Sequence, residues 1–520
     1  MPNWTDVPSL WALVMRGATE FGPARFIEPM EANGRAVTYR DLAHITRCLA
    51  TYLDEADARP GARVAVCLNN SSLAQLLFVG IIAAGRVFVP LNPGMAGAEI
   101  SHVLGESDPA LVIADARLRR RFAECFGGRR CVYIDSEARF PDAVLALHPS
   151  AIEQVAVQQA SDDAEVIFMS DATGRPKGIV LSHRSLLAGS WAIGQALAMS
   201  PGDRFLTVSP LFHTSGQMST TLAPLWLGGT TTAVRSERAL VDFWELVDRF
   251  GPQWTFVVNS LLATLVQQPR QQVKTALRGI LAGGSRFTAD LIRSFESAFD
   301  IRVHQCYGLS ETAGTITCED AGETTRSVGS AGRPLPICEV RVTNDGTPAP
   351  RGVPGVIEAA GPNLFDRYLN QPELTARRLR DGWLTTADLG YLDEAGNLFV
   401  VDRADSMLIV GGEKLYPWEI ERLVPRLGGM AEAAAIGVPH EILGTEVVLV
   451  YRAEASAVPG AAGWKDVLGT ELSRFKLPRR FIEITELGLP AFPRSAGGAI
   501  DRHALGQVVV QREKGRDRDG

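Results

Sequence analysis

"VIFMSDATGRPKGIVLSH", residues 166–183, is the stretch whose reading decides the fold. It opens as an apolar run, passes through a turn of small residues and Gly-Arg-Pro-Lys-Gly, and closes as a second apolar run. Short apolar runs bounded by such turns read as buried strands. Small residues let backbone N–H groups and hydroxyls approach phosphate oxygens, and a lysine adds charge. Ser170, Thr173, Gly174 and Lys177 are therefore candidate phosphate contacts. Taken alone, the stretch is also compatible with a plain turn between two strands.

Further apolar runs lie on both sides: "RVAVCL" (63–68), "LVIAD" (111–115), "CVYID" (131–135), "RFLTVSP" (204–210) and "WTFVV" (254–258). Helical patterns such as "SLLAGSWAIGQAL" separate them. Alternation of this kind predicts layered α/β structure with largely parallel sheets. The most apolar stretch, "SLAQLLFVGIIAAGRVFVPL" (72–91), is broken by Arg86 and Pro90, so it reads as a helix and a buried strand and not as a membrane span. Around 335–401 short strands and turn signals predict a small β-rich subdomain. From 403 onward a compact α+β unit is expected, ending in a frayed charged tail, "QREKGRDRDG".

Composition narrows the function. The chain has 520 residues, 46% hydrophobic and 21% charged, and a formal net charge of −7. An acidic balance argues against nucleic-acid binding, which needs a basic face. The seven cysteines form no CxxC pair, as expected of reduced thiols in a cytoplasmic protein. No basic segment precedes an apolar run at the start, so no signal peptide is expected. Only six of the 52 basic residues are lysines, a strong bias toward arginine.

Motifs follow one another along the chain: "FVPLNP" (88–93), the loop at 166–183, "PLFHTSG" (210–216), "LAGGS" (281–285), "QCYGLSET" (305–312), "GRPLP" (332–336), "WLTTADLGYLD" (383–393), "DRADSMLIVGGEKLYPWEIE" (402–421) and "AAAIGVPHEILGTEVVLV" (433–450). In kind and order this series resembles the AMP-forming acyl-CoA synthetase, adenylation-domain and luciferase superfamily, nearly end to end. The resemblance implies an α/β fold. A large N-terminal AMP-binding domain (1–402) of layered subdomains would be followed by a small mobile C-terminal domain (403–520), with a hinge at Asp405. It also implies a two-step reaction. A carboxylate attacks the α-phosphate of Mg·ATP, and a thiol, usually that of CoA, then displaces AMP from the acyl-adenylate.

Site residues carry over by the same resemblance. Asp388 and Arg403 match the residues that hold the ribose, and Tyr307 the ring stacked on adenine. Glu311 matches the magnesium carboxylate, with Thr173 beside the phosphates. His213 matches the residue at the acyl and nucleotide junction, and Gly411 and Gly412 the pantetheine tunnel. Gly283, Gly284, Ser285, Gly308, Ser310, Thr312 and Lys414 complete the nucleotide and acyl surroundings. Backbone N–H groups near Gly308–Ser310 are expected to help the oxyanion. The glycines at 283, 284 and 308 suggest room for a bulky apolar acid.

Two departures fall on one chemical step. In "PRSAGGAIDR" (493–502) the family's adenylating lysine is replaced by Ala499. A preorganised cation of that kind is worth roughly 10²–10³ in rate. Arginine bias would have turned the lysine into arginine. In the phosphate loop, Asp171 and Ala172 stand where the family has Gly and Thr. Two like charges ~4 Å apart repel by about 4 kcal/mol at an effective dielectric of ~20, which disfavours a triphosphate more than AMP. These departures resemble the non-adenylating acyl-CoA ligase of platensimycin and platencin biosynthesis. They imply a ligase that takes a preformed acyl-adenylate and CoA, with a separate adenylating enzyme as partner and ATP and Mg²⁺ doubtful. The alternatives are a complete ATP-dependent ligase with a substitute cation (Lys177, Lys414, Lys476 or Arg494) and a silent acyl- or nucleotide-binding homologue. A homodimer is the base-rate expectation.

Overall fold

The stretch 72–91 becomes a helix, Ser72–Ala83, and a strand, Val87–Pro90, in the computed structural model of the chain. The structure describes residues 2–31, 34–134, 155–170, 176–268, 275–285, 287–322, 326–403, 406–410, 413–440, 444–454, 461–494 and 500–516. The chain divides into two compact units. One is Met1–Arg341, Glu358–Thr386 and Asp393–Phe399; the other is Val342–Ile357, Ala387–Leu392 and Val400–Gly520.

In the larger unit the helix Ser72–Ala83 is apolar all round, and every residue from Leu73 to Ala83 is buried. A helix without a polar face belongs inside a domain. It lies in a central core fed by two sheets. A seven-stranded sheet runs in the order Arg367–Tyr368, Pro176–Ser182, Asp163–Ser170, Val87–Pro90, Arg63–Cys67, Leu111–Asp115, Cys131–Ile134. A nine-stranded sheet runs Arg333–Pro334, Thr317–Cys318, Val303–Tyr307, Gly279–Ala282, Trp254–Val257, Arg204–Thr207, Thr230–Ala233, Arg25–Ile27, Val37–Thr38. The nine-stranded sheet is parallel in the middle and antiparallel at both edges, whereas the seven-stranded sheet is antiparallel at the Arg367–Tyr368 side and parallel from Asp163–Ser170 through to Cys131–Ile134.

Strand alternation shows the layering. Val64 and Val66 enter the central core, while Ala65 and Cys67 enter a second core under the helices Gly97–Ser107 and Arg119–Phe126. In the other sheet Leu281 faces the central core, and Ile280 and Ala282 face a third core under Ser236–Phe250 and Ala289–Phe299. Strands covered on both faces must be apolar throughout, which is why their sequences read as continuous runs.

The smaller unit contains a three-stranded sheet, Met430–His440, Gly444–Ala453 and Arg480–Glu483. Ala435, Val447 and Leu449 pack one face with Ile420 and Leu468; Ala434, Val448 and Val450 pack the other with Leu505 and Val509. The last two belong to a helix, Arg502–Arg516. Of the ten terminal residues expected to fray, 511–516 instead continue this helix, which is anchored on the sheet by those two side chains, and 517–520 lie outside the described residues. The five cysteines Cys48, Cys67, Cys306, Cys318 and Cys338 are buried free thiols, and Cys125 and Cys131 are partly buried. No helix among the described residues is long and apolar enough to cross a membrane.

Candidate active site

Parallel strands open their carboxyl ends to ligands, because the loops that leave them diverge there. The strands Gly279–Ala282 and Val303–Tyr307 are parallel neighbours, with Ala282 opposite Gln305. Gly283, Gly284 and Ser285 leave the first strand, and Tyr307 ends the second, so the sequence candidates fall on one sheet edge. The turn Ser310–Thr312 follows Tyr307. Leu309 N–H donates to Thr312 Oγ1 at 2.9 Å. That amide is therefore committed to the turn, which narrows the oxyanion candidates to the N–H groups of Gly308 and Ser310.

Glu311 is held from outside its own segment. Tyr368 Oη donates to Glu311 Oε1 at 2.8 Å, and Phe365 N–H donates to the Glu311 carbonyl at 2.7 Å. Tyr368 in turn sits opposite Ile179 on the strand that carries Lys177. Buried Asn363 donates to the carbonyls of Thr312 and Thr315, at 2.9 and 3.0 Å. The magnesium and adenine candidates thus sit beside the strands of the phosphate loop.

The glycines do not measure a wide pocket. A Cβ on Gly308 would lie 2.3 Å from the Gly314 carbonyl oxygen, and one on Gly283 would lie 2.8 Å from Cys306 Sγ. Both positions make room for protein, not for ligand. Gly284 has φ +79, a backbone requirement. The inference of a bulky acid from these three residues therefore has no support in the packing.

His213 precedes the helix Thr214–Gln217. It is half-buried, and desolvation pulls its imidazole below the usual histidine range. Its turn is fixed by residues the sequence reading missed. Asn70 accepts from Leu211 N–H at 2.8 Å and donates to the Ser209 carbonyl at 2.8 Å. Gln217 donates to the Leu211 carbonyl at 2.8 Å and to Glu165 Oε1 at 2.6 Å. A glutamate inside the apolar run "AEVIFM" was the available signal.

In the smaller unit Asp388 is buried and pairs with the exposed Arg403 at 3.5 Å. The preceding residue, Ala387, has φ +66. Asp402 accepts from Trp418 N–H at 3.1 Å and faces Arg502 at 3.7 Å, and Arg502 reaches Glu421 at 2.8 Å. Ser406 Oγ donates to the Arg403 carbonyl at 2.6 Å. Lys476 pairs with Glu419, and Arg494 with Glu432 at 2.5 Å. Asp171, Thr173, Gly174, Asp405, Gly411, Gly412 and Ala499 lie outside the described residues, as do the side chains of Ser170 and Lys414. Among the described residues no cluster of three or more His, Cys, Asp and Glu is placed to hold a metal.

The chain is 32% identical to a sulfoacetate–CoA ligase of Cupriavidus necator over 91% of its length and 92% of the relative's. It is 31% identical to a feruloyl-CoA synthase of Amycolatopsis, over 90% and 93%. The crystal structure of ATP-bound MatB from Rhodopseudomonas palustris superposes with a TM-score of 0.85 at 28% identity, covering 96% of this chain and 98% of that one. The model of the family described as AMP-binding enzyme matches residues 17–369, and the chain belongs to that family.

Proposed function

We propose that the protein is an acid–CoA ligase that carries out mainly the thioester half of the AMP-forming reaction. An acyl-adenylate binds with its ribose on Asp388 and Arg403 and its adenine on Tyr307. The CoA thiolate attacks the acyl carbon, the C–S bond forms, and the C–O bond to AMP breaks. AMP leaves readily, so positioning supplies most of what the step needs. Burial keeps His213 neutral at the acyl junction. Rotation of the 403–520 domain about Asp405, with Gly411 and Gly412 lining the pantetheine path, belongs to the same proposal. If magnesium enters, Glu311 and Thr173 are the residues that would hold it and help offset phosphate charge.

The observation that carries the reading is Ala499 within a segment whose ends are pinned. Arg494 and Ile500 form an antiparallel bridge, and Arg502 is bound to Glu421. The flanking Gly497, Gly498, Ile500 and Arg502 match the motif's pattern, which puts alanine at the lysine position. Two of the cations proposed as substitutes, Lys476 and Arg494, are engaged by Glu419 and Glu432. The names of the two relatives given above, a sulfoacetate–CoA ligase and a feruloyl-CoA synthase, favour a second reading: a complete ATP-dependent ligase that uses another cation.

A paired assay separates the two. A panel of acids with ATP, Mg²⁺ and CoA is compared with the matching synthetic acyl-adenylates and CoA alone. Thioester from the adenylates only is expected. Thioester from free acids at rates comparable to those from the adenylates would overturn the proposal in favour of the complete ligase.

A further inference from the structure

We propose that Glu165, acting through Gln217, is a positioning residue of the nucleotide site. The geometry comes first. Glu165 lies on the strand Asp163–Ser170, whose end runs directly into the 171–175 segment of the phosphate loop. It is fully buried, opposite Phe88 and Leu181 on the neighbouring strands. Gln217 Nε2 donates to Glu165 Oε1 at 2.6 Å and to the Leu211 carbonyl at 2.8 Å, so one amide ties the phosphate strand to the turn carrying His213. Asn70 holds the same turn from the opposite direction. Glu165 Oε2 and Gln217 Oε1 are buried with no hydrogen-bond partner among the described residues.

A carboxylate in such surroundings lacks the donors that an ion requires, whereas a neutral carboxyl does not. Burial raises the Glu165 carboxyl to about 8, against the smaller opposing effect of the Gln217 hydrogen bond. The elements packed against this strand carry few titratable groups. Val87–Pro90 has none, and Thr214–Gln217 has none after His213. Lys177 lies opposite Met169, four residues along the strand. His183, which begins the next helix, is depressed to about 4 by burial, and His213 is lowered too, so both imidazoles are neutral where Glu165 titrates. Losing the Glu165 proton is thus the event that places an unpaired charge between the phosphate strand and the His213 turn.

The inference rests on the nucleotide binding of the proposed function, with the strand that ends at Ser170 and the His213 turn taken as part of that site; it does not depend on which half-reaction the enzyme performs. The test is AMP binding by calorimetry at pH 7 and pH 9, with thermal melts to establish folding. If only the neutral form is competent, the wild-type affinity weakens about tenfold across this interval, following the competent fraction. Glu165→Gln keeps an acceptor for Gln217 and cannot ionise, so its affinity changes less than about twofold. Glu165→Leu strands the Gln217 amide and binds AMP weakly at both pH values. Parallel pH profiles for the wild type and Glu165→Gln would overturn the proposal, and so would wild-type affinity in Glu165→Leu. A wild type that binds no AMP at all would overturn the phosphate-site reading together with this one.

Discussion

At the scale of single residues, the chemistry turns on side chains that carry or lack charge. Ala499 cannot stabilise the negative charge that develops during adenylation. Ala499→Lys is therefore expected to raise acid-dependent pyrophosphate exchange by at least about 10²-fold, with thioester formation from adenylates left within a few-fold. Exchange that stays at the wild-type level in a folded variant would count against the assigned role of position 499. Glu165 supplies a second residue-scale expectation. Its folded-state carboxyl lies above the usual value of 4.5, near 8, so the folded chain holds a proton that the unfolded chain releases. Stability from this group is lost as pH rises from about 4.5 toward 8, by about 1.4 kcal/mol per unit, and Glu165→Gln removes that loss. Urea titrations at pH 5, 6.5 and 8 should show the variant gaining on the wild type at each step. A difference that does not grow with pH would mean that Glu165 is ionised in the fold.

At the scale of elements, backbone approach and backbone strain shape the site. Gly308 has no space for a methyl group, because the Gly314 carbonyl oxygen sits 2.3 Å from where the Cβ would be. Gly308→Ala must push the Tyr307 strand away from the turn that follows Glu311. We expect a loss of about 1–3 kcal/mol in stability, as for other overpacked positions, together with weaker AMP binding. A variant with wild-type melting and affinity would show that the turn yields freely. Ala387 is the converse case. Its φ of +66 within the strand Trp383–Leu392, one residue before Asp388, is a conformation that costs a non-glycine residue ~1–2 kcal/mol. Ala387→Gly should stabilise by up to about 1 kcal/mol after the added chain entropy of glycine, seen as a raised melting temperature with AMP affinity, the readout of the ribose role proposed for Asp388, unchanged. The β-strands themselves were legible from sequence because each is covered on both faces and hence apolar throughout. The Ser310–Thr312 turn and its supports, Asn363 and Tyr368, were not, since they meet across about fifty residues of intervening chain.

At the scale of the whole molecule, two units carry separate cores, so each should unfold with its own transition. Arg502 lies between Glu421 and Asp402 in the smaller unit, and Glu421 is raised by burial with Arg502 opposing that shift. Arg502→Met would leave buried acid without its cation, costing about 3 kcal/mol. Calorimetry should show the smaller unit melting earlier and the larger unit unchanged; an unshifted profile would mean that the ion pair contributes nothing net. The sequence by itself determined the α/β class, the family and the chemical identity of position 499. Apolar periodicity and local motif spacing are written in consecutive residues, and an absent ammonium needs no coordinates to be noticed. Only the tertiary structure decided what the glycines at 283 and 308 accommodate, which arginines and lysines are already paired, and that Glu165 is buried against Gln217. Those facts depend on which distant segments come within a few ångströms of one another, and hydrogen bonding and desolvation act only at that range.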